Sequence, residues 1–498
     1  MPLKICLFTD QDLDADPFPP GDWPCDPRPF LPDAEWTVRT LSKDSAVAQV
    51  TQAVSSGFDL YFNLCDGAWD EGRVGIEVVH TLESLNVPFT GADSGFFEPS
   101  RETMKRVCRA WDIDTPGYVI ARTDEDIQRA VEHLRFPIIV KHPQSYASFG
   151  ITRNSRVTDA ETLRELARKM IADNGAALLE EFIDGTEATV LVVEDAQDPT
   201  RPHAYRSIMY RFPEGESFKH YDLKWIDFHG LSAFPVEDPD LDAVLRRMSS
   251  DFFRGIGGAS YGRCDIRIDH DGRPFMLEIN PNCGVYYPRT DPGSADLILM
   301  DDAEGHVGFT RRIVEAAFAR HARRQRPWQV LPRASQDYGV FAARDIAQGE
   351  TVIPWEGRPH NLVTRSHVER AWDERHQDWF ARYAWPLTDE VWVTWSDDPR
   401  EWRPVNHGCD PNAWLSGLDV VARRPIARGE EIVLDYATFY DERMPPFNCA
   451  CGARECRGVV RGDDYLLDEV SRYEGHFSDY LARRRSLTGK VKSPASGG

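Results

Sequence analysis

The sequence predicts an α/β fold over roughly the first two thirds of the chain and a separate, mostly-β domain after it. In the first part, apolar runs of strand length, such as KICLFTD and TEATVLVVE, alternate with helical patterns such as ETLRELARKMIAD. This alternation is typical of α/β layers. Beyond Pro327 the chain changes to short β-like runs separated by Gly and Pro, such as YGVFAARDI and EEIVLDY. That texture predicts a compact, irregular β domain.

Length and charge restrict the classes of protein that fit. A chain of 498 residues exceeds what one hydrophobic core usually supports, so two or three domains are expected. A net charge of -23 argues against an extended nucleic-acid or anionic-membrane surface. The chain has no apolar run of 18 residues, and MPLKICLFTD is typical of a first strand rather than a signal segment. We therefore expect a cytoplasmic protein that binds neither nucleic acid nor membrane.

The cysteines predict a metal site. Six of the ten are scattered through the first 283 residues, and four follow residue 408. This distribution is typical of buried thiols plus a metal site in a reducing compartment. Cys449, Cys451 and Cys456 form a C-x-C-x4-C pattern in NCACGARECRG. A structural zinc ion takes four ligands, so a fourth has to come from elsewhere in the chain.

A second candidate metal site lies in YGRCDIRIDHDGRPFMLEINPN, which predicts two strands. Glu278 and Asn280 are two residues apart and therefore face the same side of one strand. Asp265, on the preceding strand, is placed where it could share that side. Hard oxygen ligands of this kind suit Mg²⁺ that carries nucleotide phosphates.

ETMKRV, FPIIVKHP and LLEEFIDGTEATV precede the two-strand segment along the chain. Together they resemble the nucleotide-binding segments and the metal site of an ATP-grasp ligase of the D-alanine–D-alanine ligase type, and the resemblance covers residues 1 to about 318. The resemblance implies contacts to ATP from Lys105, Lys141, Ser148, Glu180, Ile183, Glu187 and Lys224. It also implies that Arg263 stabilises a tetrahedral oxyanion and that Asp265, Glu278 and Asn280 hold magnesium. The implied reaction phosphorylates a carboxylate with ATP and lets an amine displace the phosphate.

The chain departs from these ligases at both substrate ends. FTDQDLDADPFPPGDWP stands where the ligases have a Gly-Gly-x-Ser-x-Glu turn, and NPNCGVYYP replaces their turn at the second substrate. We therefore do not expect D-alanyl-D-alanine as the product, and the carboxylate and amine substrates stay open. Glu71 is a candidate for a substrate contact, although a surface loop is an equally good interpretation.

The motifs YGVFAARDIAQGE, NHGCDPN, GEEIVLDY and CACGARECRG follow one another between residues of about 330 and 460. In this order they resemble a SET-domain lysine methyltransferase with its post-SET zinc loop. The resemblance implies that Cys409 is the fourth zinc ligand, beside Cys449, Cys451 and Cys456. It implies S-adenosylmethionine as the methyl donor, with cofactor contacts at Tyr338, Gly339, Asn406 and His407. Tyr436 takes the catalytic position at the methyl-transfer pore.

Two substitutions set this domain apart from the family pattern. Asp337 replaces the first glycine of a Gly-x-Gly turn, which would weaken the cofactor contact if that turn needs glycine there. Leu434 stands where an aromatic residue is common, and its smaller side chain predicts more than one methylation. The tryptophans between Trp372 and Trp402 are interpreted mainly as core and channel wall, with an aromatic cage for a methylated ammonium as the alternative.

The predicted organisation has an ATP-grasp region at 1–325, divided into an α/β subdomain at 1–97 and an ATP-binding part at 98–325. A linker at 326–333, a SET and post-SET domain at 334–462, a helix at 463–485 and a disordered tail at 486–498 follow. The leading hypothesis is a bifunctional enzyme that joins a carboxylate to an amine and N-methylates a lysine-like amine on an amino acid or peptide, and a homodimer is the expected assembly. The alternatives are a protein-lysine methyltransferase whose ATP-grasp domain modifies the same partner or senses nucleotide, and a scaffold with one inactive domain.

Overall fold

The structure is a computed structural model of the 498-residue chain. It describes residues 2–15, 18–19, 23–69, 71–144, 152–219, 223, 230–333, 337–357, 360–394 and 402–488. The predicted ATP contacts Ser148 and Lys224 lie outside these residues, as do the last ten residues of the predicted tail. Contacts between Cα atoms divide the chain into two units, Met1–Arg324 and Gln325–Gly498.

The first unit begins with a small parallel sheet. Its strands lie in the order Glu35–Thr40, Lys4–Thr9, Leu60–Asn63. The central strand is buried from Ile5 onward, as expected for a parallel strand covered on both faces. The helices of this part are Ala46–Ser55 and Ile76–Ser84.

An antiparallel sheet of four strands follows. Its order is Tyr118–Ala121, Ala177–Glu181, Ile138–Lys141, Arg156–Val157. The helices Asp124–His133 and Ala160–Asn174 pack on it through Ile127, Ala130, Leu163 and Ala167. Local sequence sets the helix ends, because Thr123 and Asp159 cap the two N-termini and Gly175 ends the second helix at a φ of 76°.

The largest sheet of the first unit is also antiparallel. Its order is Ser232–Pro235, Ile208–Arg211, Gly185–Val193, Tyr261–Asp269, Pro274–Pro281, with His203–Ala204 paired to Gly185–Val193. The accompanying helices are Arg101–Ala110, Pro239–Gly255, Ser294–Asp301 and Gly305–Arg324. The alternating apolar residues of its central strands join two buried cores, one on each face.

The second unit consists mainly of short strands, as the sequence predicts. Trp328–Pro332 pairs with Tyr338–Ala342, and Asn406–His407 pairs in parallel with Val433–Leu434. The remaining strands are Thr351–Ile353, Asn361–Thr364, Trp385–Pro386, Val391–Thr394, Ala413–Ser416, Asp419–Ala422, Phe447–Asn448 and Val459–Val460. The helices are Arg365–Ala371, Glu374–Tyr383 and Asp479–Thr488. The predicted fold class, α/β followed by mostly β, is therefore confirmed.

Two segments have a different local structure from the expected one. The stretch expected to be a linker contains the strand Trp328–Pro332, because Trp328 is buried in the β core. The stretch expected to be one C-terminal helix contains the 3₁₀ helices Gly462–Leu466 and Asp468–Tyr473 before the helix Asp479–Thr488. Gly475, at a φ of 84°, interrupts the helical path between them.

The tryptophans of the second unit divide between core and surface. Trp385 and Trp392 are buried, whereas Trp402 is exposed and lies edge-on to Tyr338. Trp395 lies outside the described residues. Within the described part of the chain, no helix combines the length and apolar character needed to cross a membrane.

Candidate active sites

The first unit contains a cavity of about 1030 Å³. Its walls come from the two antiparallel sheets and from loops beside the parallel sheet. The sequence-predicted residues that line it are Glu71, Lys141, Glu180, Ile183, Glu187, Arg263, Asp265, Glu278 and Asn280. Residues predicted from separate motifs therefore face one space that is large enough for a nucleotide and a small substrate.

A buried carboxylate between two lysines forms one wall of the cavity. Glu180 pairs with Lys105 on one oxygen, and its other oxygen lies 2.5 Å from Nζ of Lys141. Burial opposes ionisation of Glu180, but the two ammonium groups outweigh it and hold the carboxyl pKa at about 2. Burial also lowers the pKa of Lys141. The two lysine ammonium groups outnumber the single Glu180 carboxylate, so this wall carries a net positive charge that suits a phosphate group.

Lys105 lies behind this wall. Its side chain is fully buried, and its Nζ donates a hydrogen bond of 2.7 Å to Oγ1 of Thr115. It acts on the cavity through the carboxylate of Glu180 rather than from the cavity lining.

An apolar slot adjoins the predicted nucleotide contacts. Ile139, Phe182 and Phe218 form one buried cluster and line the cavity next to Ile183. The rings of Phe182 and Phe218 meet edge to face at 5.8 Å, and the guanidinium of Arg267 lies 4.7 Å from the centre of the Phe182 ring. Such a slot suits a flat base. The two phenylalanines were not predicted as site residues, because nothing in the sequence separates them from ordinary core aromatics.

The predicted magnesium ligands meet on two paired strands. Asp265 lies directly opposite Glu278, and Nδ2 of Asn280 donates a hydrogen bond of 2.9 Å to Asp265. Arg263 binds both oxygens of Asp265 at 3.1 and 3.2 Å. Burial opposes ionisation of Asp265, but Arg263 and Lys219 keep its pKa below the usual range. The three side chains place oxygen atoms, including those of the ionised Asp265, on one side of the sheet. Oxygen ligands of this kind are the ones that Mg²⁺ prefers.

Two further cations in this wall were not predicted from the sequence. Arg101 lies 2.9 Å from Glu278, and Nζ of Lys219 lies 2.9 Å from Glu187 and 3.2 Å from the centre of the Tyr210 ring. Arg101 and Lys219 both line the cavity. Lys219 precedes the YDLKW motif in the sequence, but only the fold shows that it reaches Glu187.

The end of the cavity near the parallel sheet is acidic and is built around one arginine. Nε of Arg73 donates a hydrogen bond of 2.9 Å to Asp10, and its Nη2 pairs with Asp66. Glu71 lies 3.9 Å from the same guanidinium. Nζ of Lys43 donates hydrogen bonds to the backbone carbonyls of residues 68, 69 and 71 and so fixes the loop that carries Glu71. This end of the cavity therefore presents three carboxylates around one guanidinium.

The second unit places Tyr436 in an aromatic pocket at the start of a short 3₁₀ helix, Tyr436–Thr438. Its hydroxyl donates a hydrogen bond of 3.0 Å to the carbonyl of Val405, and burial raises its pKa. The rings of Phe439, Tyr440 and Phe447 surround it at 5.1 to 5.9 Å. The phenol is therefore neutral and oriented, so it can present its oxygen to a reacting group without ionising.

His407 links Tyr436 to the cysteines. Its Nδ1 accepts a hydrogen bond of 3.2 Å from the Tyr436 N–H, and its Nε2 lies 3.2 Å from Sγ of Cys409. Burial and the nearby Arg457 lower the pKa of His407 to about 3, so the ring is neutral. The ring proton then lies on Nε2 and points at the sulfur.

The predicted cofactor residues Tyr338, Gly339 and Asn406 also come together. Nδ2 of Asn406 donates to the carbonyl of Tyr338 at 3.0 Å and to Glu431 at 2.8 Å. A Cβ at position 339 would lie 2.6 Å from Glu431 Oε1, so a larger residue there would displace the carboxylate that Asn406 binds. Asp337 accepts a hydrogen bond of 2.8 Å at its carbonyl from the N–H of Arg333 and so closes the hairpin.

The four C-terminal cysteines converge as predicted. The sulfur atoms of Cys409, Cys449, Cys451 and Cys456 all lie within 4.8 Å of one another. Tetrahedral thiolates at a Zn–S distance of about 2.3 Å would be about 3.8 Å apart, and Cys409 and Cys449 are 3.9 Å apart. This set could hold a zinc ion with small adjustments.

Comparisons with known proteins agree with this division of the chain. A family model described as "D-ala D-ala ligase C-terminus" matches residues 109–287, and a SET domain model matches residues 337–437. Two curated relatives are both named D-alanine–D-alanine ligase. The one from Cupriavidus pinatubonensis is 27% identical over 246 residues, which is 49% of this chain and 72% of the relative. The one from Xanthomonas axonopodis is 29% identical over 272 residues, 53% of this chain and 79% of the relative.

A solved D-alanine–D-alanine ligase from Bacillus anthracis, complexed with ATP, overlaps 65% of this chain and 100% of its own at a TM-score of 0.48 and 18% identity. The chain is an enzyme with two catalytic domain types. Its N-terminal unit contains an ATP-grasp fold of the kind found in D-alanine–D-alanine ligases, matched over residues 109–287, and its C-terminal part carries a SET domain.

Proposed function

We propose that the chain is a bifunctional enzyme that joins a carboxylate to an amine at the expense of ATP and N-methylates a lysine-like amine with S-adenosylmethionine. The observation that carries the ligase half is the single cavity in which Lys141, Arg263 and the Asp265–Glu278–Asn280 group face one another. The methyltransferase half is supported by the half-buried Tyr436, whose hydroxyl is held by the carbonyl of Val405, and by the four-cysteine cluster, which His407 links to the Tyr436 backbone.

In the ligase cavity, the protein's contribution is positioning and charge neutralisation. ATP is the substrate that phosphorylates the carboxylate oxygen, which gives ADP and an acyl phosphate. The amine then attacks the acyl carbon, and phosphate leaves as the C–N bond forms and the nitrogen loses a proton. Lys141 and Lys219 would neutralise phosphate charge, and Arg263 would stabilise the oxyanion. Asp265, Glu278 and Asn280 would hold Mg²⁺, which supplies further charge neutralisation when bound.

In the SET domain, the amine has to reach the donor methyl in line and unprotonated. The aromatic pocket around Tyr436 disfavours an ammonium without partners, and the Tyr436 oxygen is oriented by Val405. Tyr338, Gly339, Asn406 and His407 would hold the methyl donor. Zinc on the four cysteines would close the loop structurally, since four thiolates leave no open position. Because the buried Leu434 carries no hydroxyl to anchor water, we expect products with more than one methyl group.

The partner is proposed to be an amino acid or peptide that bears a lysine-like amine, in the cytoplasm, with a homodimer as the expected assembly. If both sites act on one substrate, tethering them raises the local concentration of the shared compound at the second site.

The first experiment is mass spectrometry of two reactions that contain the enzyme, Mg²⁺ and S-adenosylmethionine, with and without ATP. One reaction contains a mixed amino-acid pool, and the other contains a protein lysate. Small molecules that need ATP to condense and then gain methyl groups would support the coupled enzyme. Methylation of lysate protein that ignores ATP would instead favour a protein-lysine methyltransferase. Binding of only one of the two nucleoside ligands in calorimetry would favour a scaffold with one inactive domain.

The matched variants are Lys141→Met and Tyr436→Phe in the full chain. We expect the first to abolish ATP-dependent condensation and the second to lower the rate of methyl transfer by about 10²-fold, each leaving the other step unchanged when that step is given its own substrate. If either variant leaves the final product unchanged, the coupled scheme is wrong.

A further inference from the structure

Arg457 connects the four-cysteine loop to the short 3₁₀ helix that begins at Tyr436. It directly follows Cys456, and its backbone N–H donates a hydrogen bond of 3.4 Å to Sγ of Cys409. Its guanidinium binds both oxygens of Asp435, with Nη2 at 2.6 Å and Nη1 at 3.1 Å. Asp435 is the residue before Tyr436. One residue therefore contacts both the cluster and the neighbour of the proposed catalytic tyrosine.

Asp435 in turn fixes the backbone that presents Tyr436. Its carboxylate accepts a hydrogen bond of 3.0 Å from the N–H of Ala437, which caps the short 3₁₀ helix. Its carbonyl accepts from the Thr438 hydroxyl at 2.7 Å. A rotation of the Asp435 side chain would therefore disturb the first turn of the helix on which Tyr436 sits.

The ion pair between Arg457 and Asp435 is shielded from water. The side chains are 7% and 1% exposed, and Asp464 lies 3.2 Å from Nε of Arg457 on its other side. A two-point guanidinium–carboxylate pair in such surroundings has one favoured geometry. The pair therefore couples the position of the cysteine loop to the 3₁₀ helix of Tyr436 more rigidly than a solvated pair could.

We propose that Arg457 is a positioning residue for methyl transfer: it places Tyr436 in response to closure of the four-cysteine loop. The inference rests on the proposed methyltransferase function. It differs from a general stabilising role because the cluster has a separate anchor. Arg472 and Tyr473 hold the carbonyl of Cys409 at 2.8 and 3.2 Å, and Arg472 pairs with Glu455 rather than with Asp435.

The test compares Arg457→Gln, Arg457→Lys and Arg472→Gln in the full chain. Zinc content and zinc release to a chromogenic chelator report on the cysteine loop. Fluorine NMR of fluorotyrosine-labelled protein, with the Tyr436 resonance assigned by Tyr436→Phe, reports on Tyr436 without needing activity. Steady-state methyl transfer gives kcat and KM for the amine.

For Arg457→Gln we expect zinc to be retained, the Tyr436 resonance to shift or broaden, and kcat to fall about 10-fold or more with a smaller change in KM. Arg457→Lys keeps the charge but loses the two-point contact, so its shift and its loss of kcat should lie between those of Gln and wild type. Arg472→Gln should speed zinc release and leave the Tyr436 resonance in place.

The proposal is overturned if the Tyr436 resonance and kcat of Arg457→Gln match wild type. It is also overturned if kcat falls only in proportion to lost zinc, because Arg457 would then act on the loop alone. Should Arg457→Gln fail to fold, the Lys variant decides between the same outcomes. If wild type transfers no methyl group but the resonance still shifts in the Arg457 variants, the proposed function fails while the coupling stands.

Discussion

At the scale of single residues, the carboxylate of Glu180 neutralises two buried lysines in the wall of the cavity. Lys105 and Lys141 are both buried, and each would be costly without an anion. One fully buried carboxylate compensates both. Removing it should therefore affect stability and phosphate binding together.

We predict that Glu180→Gln lowers the free energy of unfolding by about 3 kcal/mol at pH 7, the usual scale for breaking a buried ion pair. The folded pKa of Glu180 is depressed to about 2, so its stabilisation is complete above its unfolded pKa of about 4.5 and is lost as pH falls from there towards 2. The difference between wild type and variant should shrink over that window. Chemical denaturation at a series of pH values measures it.

The neighbouring Glu181→Gln is the matched control. Glu181 accepts two hydrogen bonds from the guanidinium of Arg135, whose side chain is 81% exposed whereas that of Glu181 is 11% exposed, so the expected loss is about 1 kcal/mol. Equal losses in the two variants would contradict the special role given to Glu180.

A second residue-scale prediction concerns Tyr436. Tyr436→Phe should lower kcat for methyl transfer by about 10²-fold or more, in the range seen when an oriented donor is removed from a reacting centre. The affinity for S-adenosylmethionine in calorimetry should stay nearly constant, because one hydrogen bond to Val405 is all that the fold loses. Tyr465→Phe, whose hydroxyl is directed at Glu442 rather than at the proposed site, controls for loss of a phenol elsewhere in the domain. A variant with full kcat would remove Tyr436 from the mechanism.

At the scale of elements, the loop that contains Cys449, Cys451 and Cys456 should depend on metal for its structure. We predict one zinc per chain, its loss in Cys451→Ser, and a lower Tm for that variant and for chelator-treated protein, since metal binding is coupled to folding in such loops. Elemental analysis and thermal unfolding measure both effects. Cys25→Ser, outside the cluster, should keep its zinc. Wild-type protein free of zinc after expression in zinc-supplemented medium would contradict the assignment.

Sequence reasoning was most successful where the relevant spacing is local. The period of two along a strand placed Glu278 and Asn280 on one side, and the structure puts them beside Asp265. It missed Arg101, Lys219 and Phe218, because their roles depend on which distant strands and loops approach them. It also assigned Trp328–Pro332 to a linker, since Pro327 and the surrounding basic residues gave no sign that Trp328 joins the β core.

At the scale of the whole molecule, the central fact is that two catalytic domain types share one chain. Each has its own core and its own candidate site within its own unit. A tether of this kind gives an effective concentration up to the millimolar range, provided that one compound has to visit both sites. The fusion therefore increases the rate of product formation only if the two sites share an intermediate.

We predict that mixing two full-length chains, Lys141→Met and Tyr436→Phe, restores the final product but with a lag during which the intermediate accumulates in solution. The lag should shorten as both chains are raised together towards the effective concentration that the tether provides, whereas product per wild-type chain should not depend on enzyme concentration. Time courses by mass spectrometry at several enzyme concentrations measure both quantities. Wild type mixed with the doubly substituted chain controls for crowding and substrate depletion. If the mixture follows the wild-type time course from the start, the intermediate exchanges freely, and the two activities gain nothing from being joined.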